Sequence, residues 1–497
     1  MRQARSGYSV HVRCRERVVR GRLILALLLW VATAAPPVRA GGFTITSMGG
    51  RRSGSLVTLG HPDDLTASFH NPAGLADQPG IRLHLSNSFT LIQSRFRMQA
   101  LNGRMYPELN PYGCSDDCPW PVDAQGYYRR TLKPESYFGT VPFFAASTDW
   151  SFAGRAGARV VSSLSVYLPV FYGATMPAEA PTAYQLMKGY FAVGAVTLAT
   201  GWKISRYLSV GASLSYYYYR LSMRRRFSVV RMLTPLGQED DPPAQAEAGQ
   251  DLIGDLILDY TGEDHGVGWG LGMLIRPTSW LSIGLMYNQA TAAVFRGGMS
   301  ITSREPATLQ AALEVLGYKL PRKLRVEMAV PPSVGAGISI TPVPWMEVGI
   351  DARFWLYNLY REQKVTPLYD PDAEGTEVIG EADLSADKHY RLSYEVALGF
   401  VFRPLRRHPG LELLLGASYD RSPIPDETFS LDNVTLNSWN VAAGVRWAVN
   451  RHWRVAVTYA AYLYVPRHIR NSIVSPPSNG DASGVFHMPS LEAQYTF

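Results

Sequence analysis

Few side chains in this chain stand where covalent chemistry could begin. Cys114 and Cys118 bracket Ser115-Asp116-Asp117 in a polar stretch, and with Cys14 they are the three cysteines of 497 residues. Two thiols at that spacing suit a small loop disulfide. A metal site is the alternative, but two cysteines without a nearby histidine supply too few ligands, so no metal or cofactor is expected. Ten histidines make chance Ser/His pairs easy. No nucleophile motif or acid–base cluster stands out, so no catalytic residue is named, and His265 and His487 read as hydrogen-bonded structural residues. What remains is binding chemistry: the cations Lys323 and Arg325, two apolar stripes, and the turn Asn71-Pro72-Ala73-Gly74.

The turn is rigid. Pro72 fixes its own φ and pushes Asn71 out of the helical region, while Gly74 can adopt angles other residues resist. It reads either as an ordinary surface turn or as a knot around which the rest is built. Leu252, Ile253, Leu256 and Ile257 recur at helical spacing within 244–260, and Leu309, Ala312, Leu313 and Leu316 do so within 306–317. These stripes predict two loop helices that pack on a rim, capture an apolar ligand, or both.

Residues 1–22 carry seven Arg against Glu16; the apolar run 23–35 and the small-residue site Val38-Arg39-Ala40 follow. This pattern predicts a signal peptide over residues 1–40. Eight of the 48 basic residues and one of the 41 acids lie in that leader, leaving 40 of each. The apparent basicity vanishes with the leader, and with it the electrostatic footprint of a nucleic-acid binder.

The elements that must position the binding groups are strands. Trp453, Val455, Val457, Tyr459, Ala461, Leu463 and Val465 alternate with smaller or polar residues; the runs from Trp439 and from Met346 repeat the pattern. Period two with one apolar face means strands, and their length with aromatics at the ends suits a membrane wall. Short breaks alternate with long polar segments, and counting from Ile81 gives about fourteen strands. The fold class expected is all-β: a transmembrane antiparallel β-barrel, closed because hydrocarbon offers an edge strand no partner. Residues 41–79 contribute no obvious strand and are expected to plug the lumen as an N-terminal hatch, with 80–497 as the barrel. On the eighth strand Leu324, Val326 and Met328 are taken to face lipid, so Lys323 and Arg325 are expected to point inward. There they would hold a carboxylate head group or pair with acids such as Glu327, Glu347 or Asp351. The last strand alternates Leu491, Ala493, Tyr495 and Phe497 on one face. That end resembles the signal by which outer-membrane barrels are handed to their assembly machinery.

Several stretches together resemble the FadL-type long-chain fatty-acid transporter family. They are Asp63 to Leu75 with its Asn-Pro-Ala turn; Gly262 to Trp269 leading to Leu281 to Tyr287; Pro331-Pro332-Ser333-Val334; and Tyr419 to Glu427. The resemblance runs in order from Gly42 to Phe497. It implies a 14-stranded barrel with a hatch, capture of substrate between extracellular loops, an internal pocket, and sideways release at a kinked third strand. Here that strand is read as 158–174, interrupted by Pro169 and Gly173, whose pairing should fail locally. The family has Pro-Phe-Gly at this place, and this chain has extra residues between Pro169 and Gly173.

The function expected is passive uptake of hydrophobic compounds, fatty acids or hydrocarbons, across the outer membrane of a Gram-negative bacterium. Expected partners are those small molecules, outer-membrane lipids and the barrel assembly machinery, with no nucleic acid and with the chain as a monomer. A structural or adhesin barrel is one alternative and an outer-membrane lipid hydrolase another.

Overall fold

Each alternating run becomes a strand because its two faces meet different surroundings. The computed structural model describes residues 46–109, 119–135, 138–157, 159–234, 242–289, 292–315, 321–360, 362–368, 386–405, 410–431 and 435–497. The leader and the Cys114–Cys118 pair lie outside them. In chain order the strands are β1 (Arg82–Met98), β2 (Phe138–Asp149), β3 (Val160–Thr175), β4 (Lys188–Lys203), β5 (Leu208–Phe227), β6 (Leu256–Thr278) and β7 (Leu281–Gln289). Next come β8 (Ala292–Ser303), β9 (Lys323–Ala329), β10 (Ser333–Val343), β11 (Met346–Trp355), β12 (Glu362–Gln363), β13 (Val365–Leu368) and β14 (Ala386–Asp387). Then follow β15 (Ser393–Phe402), β16 (Leu411–Arg421), β17 (Ser438–Ala448), β18 (Trp453–Tyr464), β19 (Arg467–Ile469) and β20 (Gly480–Thr496).

All but β12 and β14 join one antiparallel sheet, and β1 pairs with β20 from Arg82↔Thr496 to Met98↔Gly480, which closes the ring. β7 and β8 are consecutive pieces of one wall strand, both paired with β6. β9 and β10 are the two pieces of the next, paired with β8 and β7 respectively. With β13 and β19 as short extensions, the wall is a closed 14-stranded barrel. Closure leaves no edge to hydrate, which a hydrocarbon surrounding demands. No helix among the described residues is long and apolar enough to cross a membrane; the crossing is made by strands. Leu214, Val267, Leu271, Ile350, Val441 and Val457 stand exposed on the outer surface, and Trp202, Trp280, Trp345, Trp447 and Trp453 gather at the short-turn end. This is an apolar band with an interfacial aromatic girdle.

The eighth wall strand corrects the expected parity. Leu324, Val326 and Met328 are 1%, 2% and 6% exposed and belong to the interior core, while Lys323 and Arg325 lie on the outer face. Two interruptions at one height explain it. In β10 Ser333 and Gly335 face inward, whereas in β9 the even-numbered residues do, and Pro331-Pro332 sits between the two pieces. The companion strand flips as well, from inward Gly284 and Met286 in β7 to inward Ala293 and Phe295 in β8. A shift of one residue moves every side chain to the other face. Above the flip the polarity is inverted, with apolar residues inside and Glu263, Arg296, Lys323 and Arg325 outside. That portion of wall carries its charges outward around an apolar interior.

Inside the ring, almost every residue from Thr46 to Ala76 is buried. Helix Gly50–Ser55 packs on β15, β16, β17, β18 and β20, and the 3-10 segment Pro72–Asp77 packs on β3, β4, β5 and β6. The wall makes room for this plug with glycine. A Cβ on Gly211 would stand 2.3 Å from the Pro72 carbonyl carbon, and one on Gly284 would stand 1.8 Å from the Leu59 oxygen. Only glycine admits backbone that near.

Candidate functional site

The long segments at the far end of the barrel cover an interior cavity of about 150 Å³. Leu221, Met223 and Phe227 of β5, Leu258 of β6, and Leu324, Val326 and Met328 of β9 line it, with Tyr360 and Tyr390 above. Its cations are Arg225 and Lys388. Arg225 Nε donates to the Tyr184 carbonyl at 2.8 Å and its Nη2 to the Ser475 carbonyl, and the guanidinium lies over the Phe227 ring at 4.7 Å. Lys323 and Arg325, expected to supply this charge, are turned away from the lumen; Arg325 pairs instead with Glu327 at 2.7 Å on the outer surface. Arg225 escaped the sequence reading because it sits within Arg224-Arg225-Arg226. Its inward parity with Leu221, Met223 and Phe227 was the available signal.

The loop helices differ from expectation in one respect. Helix Ala244–Ile253 ends at Gly254, whose φ of 66° stops it, so Leu256 and Ile257 lie in β6 and point to opposite faces. Leu256 packs with Val229 and Leu309, and half-buried Ile253 joins them. Leu252 remains 56% exposed. Helix Pro306–Val315 carries Leu309 inward, and Leu313 falls outside the described side chains. Beside these helices a polar knot ties the loops together. Buried Asp255 accepts from the Tyr184 hydroxyl and from Gln250 Nε2 at 2.9 Å, and its own N–H donates to Glu108 at 3.0 Å. Burial, more than the neighbouring Glu108 charge, pushes the Asp255 carboxyl up to about 6.

Below the cavity the hatch turn is fixed on three sides. Asn71 caps the Pro72–Asp77 segment by accepting from the Ala73 N–H, and its Nδ2 donates to Leu59 and to Met273 of β6, each at 3.2 Å. Asn288 Nδ2 of β7 donates to the Phe69 carbonyl at 3.2 Å. Gly74 packs on Pro62, where a Cβ would come within 2.3 Å. The opposite flank is held by charge. Asp63 accepts two bonds from Arg446 of β17, at 2.8 and 2.5 Å, and pairs with Arg51 at 3.2 Å. Arg51 also binds Glu347 of β11, and Arg52 pairs with Glu395 of β15 at 2.5 Å. Asp351 accepts the Thr58 and Leu59 N–H groups at 2.6 and 2.8 Å. Glu347 and Asp351 thus face the lumen as expected, but they hold the hatch. Buried charges are tolerated because each has its partners in place.

The wall itself is incomplete beside this turn. β2 pairs with β3 from Asp149↔Val161 up to Phe143↔Tyr167; residues 138–142 of β2 are then bonded only to β1, and the next backbone contact across the seam among the described residues is the Glu135 N–H donating to the Thr175 carbonyl at 3.0 Å. The β3–β4 register shifts between Tyr167 and Val170, which places Pro169 in the irregularity. Proline has no N–H to continue the ladder. Gly173, also expected to break the pairing, stays in the β3–β4 ladder opposite Tyr190, pressed so close to β4 that a Cβ would be 2.2 Å from the Gly189 oxygen. Tyr167, the last residue paired across the seam, stacks on Phe143 at 5.4 Å and takes the edge of the hatch residue Phe69 at 5.4 Å. A displacement of the hatch turn therefore bears directly on the side chain at which the seam begins.

His265 and His487 sit on the outer surface, each ring nitrogen 2.6 Å from a tyrosine hydroxyl, those of Tyr216 and Tyr459. Among the described residues no group of His, Cys, Asp and Glu could hold a metal ion.

None of the curated proteins matches the chain in sequence. A Pseudomonas aeruginosa FadL homologue is similar in structure at TM-score 0.73 with 13% identity, over 92% of this chain and 100% of its own. The Pseudomonas putida toluene transporter TodX matches at TM-score 0.62 and 13% identity over 92% and 99%, and the Ralstonia pickettii toluene transporter TbuX at 0.57 and 14% over 92% and 99%. At such identities these likenesses show the fold alone. The family model of outer membrane protein transport proteins (OMPP1/FadL/TodX) matches residues 32–497. With that match spanning nearly the whole barrel and its plug, the chain belongs to the OMPP1/FadL/TodX family, outer-membrane channels for hydrophobic compounds.

Proposed function

We propose that the protein admits hydrophobic molecules by passive diffusion, capturing them under the loop helices, holding them in the cavity above the hatch, and releasing them sideways between β2 and β3. In this reading residues 1–40 are a removable leader, 41–79 the hatch, 80–497 the barrel, and the protein does no catalysis. The observation that carries it is the interruption of β2–β3 pairing between Tyr167 and Thr175, with hatch Phe69 resting on Tyr167. An opening in the wall lets an apolar solute pass from a dry cavity into the membrane without crossing water. The cavity's about 150 Å³ is the volume that accepts a benzene-sized guest in a protein interior. A monoaromatic ring or a segment of an alkyl chain fits, with Arg225 and Lys388 placed to meet a carboxylate if the guest has one.

The test restores the missing donor. Pro169→Val gives β3 back an N–H without enlarging the side chain much, and uptake of labelled toluene and of a labelled long-chain fatty acid is measured in cells lacking their own transporter. Reduced uptake with intact heat-dependent gel mobility is expected. Unchanged uptake by a folded variant removes lateral exit at this seam, and equal uptake with and without the protein leaves a structural barrel. Filling the seam at Gly173 is the poorer experiment, since its missing Cβ would meet the backbone of β4 rather than open space.

A further inference from the structure

The outward turn of β8 and β9 leaves a charged belt that uptake does not use. Across neighbouring strands the register runs Arg220↔Glu263↔Arg296↔Arg325, and four residues higher Lys188↔Arg224↔Asp259. All seven side chains are on the outer face. Three acids answer cations there: Arg220 meets Glu263 at 3.7 Å, Arg224 meets Asp259 at 3.5 Å and Arg325 meets Glu327 at 2.7 Å. Lys188, Arg296 and Lys323 are exposed and make no ion pair among the described residues.

The opposed like charges of this belt are costly unless something anionic covers them. Arg296 stands directly opposite Arg325, and Lys188 directly opposite Arg224, and like charges at opposed positions of an antiparallel pair repel. A membrane protein could have placed Thr or Ser there, as it does at Thr261, Ser300 and Thr302 on the same face. The height is also specific. Tyr216 and Tyr218 flank the His265 ring, with centroids at 5.8 and 5.3 Å, and Val267, Trp269 and Leu271 continue downward into the apolar band. Arg220 lies two residues above Tyr218, about 7 Å at strand spacing. The cations thus begin where the hydrocarbon ends.

We propose that this belt binds the phosphate groups of the glycolipid that forms the outer leaflet, the phosphorylated head of lipopolysaccharide. Arg296 and Arg325 form one clamp, in which a phosphate between the guanidiniums turns a repulsion into two charge-assisted contacts. Lys323 flanks it on β9. Arg224 and Lys188 offer a second cationic position on β4 and β5, so a head bearing two phosphates has two places to settle. The acyl chains lie against Leu214, Val267 and Leu271 below.

The test uses the full-length barrel in detergent micelles and two probes, bis-phosphorylated lipid A and the same lipid after enzymatic dephosphorylation, with binding followed by native mass spectrometry. The wild type should hold the phosphorylated form more tightly by roughly tenfold or more, since one charge-assisted contact is worth about a factor of ten. Arg296→Ser/Lys323→Ser/Arg325→Ser should lose most of that preference, whereas Arg206→Ser, at an exposed short turn on the opposite rim, should keep it. Equal binding of the two lipids by the wild type overturns the proposal without any variant. Undiminished preference in the folded triple variant overturns it too. Complete displacement of the lipid by millimolar inorganic phosphate would mean a bare anion site, and would overturn the lipid assignment.

Discussion

Arg446→Met asks whether charge holds the hatch in the lumen. The Arg446 side chain is 2% exposed and makes three charge-assisted bonds, two to Asp63 of the hatch and one to Glu412 at 2.6 Å. Methionine keeps most of the length and removes all three. Orphaning a buried charge costs about 3–5 kcal/mol. Here the acids fall back on other partners, Asp63 on Arg51 at 3.2 Å and Glu412 on Arg403 at 3.0 Å. The cost should therefore sit near the lower end, about 3 kcal/mol. It should appear as undocking of the hatch, because the wall's interstrand hydrogen bonds do not pass through Arg446's side chain. Hydrogen exchange is the suitable assay, since it reads local opening separately from global unfolding. Amides of residues 50–60 should exchange about a hundredfold faster, the equivalent of roughly 3 kcal/mol, while wall amides keep their protection. Arg403→Met, whose side chain is 25% exposed, is the contrast and should cost under about 1 kcal/mol. Unchanged hatch exchange in Arg446→Met, with the substitution verified and the barrel folded, would refute the anchoring role.

Two further expectations concern the loops. Because the folded Asp255 carboxyl lies at about 6, above its unfolded value, the folded loops bind the extra proton; their stability is full at pH below about 4 and declines as pH rises through 6. Protease cleavage within residues 228–255 should accordingly quicken between pH 5 and pH 7.5, and Asp255→Asn should flatten that dependence; a wild-type rate that falls over this range, after correction for the protease, contradicts the reading. Arg225→Met should weaken binding of a fatty acid by about tenfold while sparing a neutral hydrocarbon of similar size, as expected for one charge-assisted contact, and equal losses for both ligands, measured by calorimetry, would reduce Arg225 to a cavity wall.

Much of the architecture was legible because a membrane wall writes its rule into every strand. Trp453, Val455, Val457 and Tyr459 could only be one face of a strand, and the outer leaflet of the fold follows from repeating that alternation fourteen times. The Asn71 to Gly74 turn was legible too, since Pro72 and the absence of alternation before Ile81 exclude a strand. Alternation, however, says that two faces differ and not which of them is inside. For β11, β17 and β18 the apolar face is outward, as lipid requires; for β9 it is inward, where Leu324, Val326 and Met328 line the cavity under the loops. Lys323 and Arg325 were misplaced for that reason alone. The same limit hid the hatch contacts. Asp63 and Arg446 are 383 residues apart, and Phe69 and Tyr167 nearly a hundred, so no local pattern pairs them. Local spacing set the strands, the turn and the interruption at Pro169. Closure of the ring decided which charges meet, which face is wet, and that the hatch touches the wall where the wall comes apart.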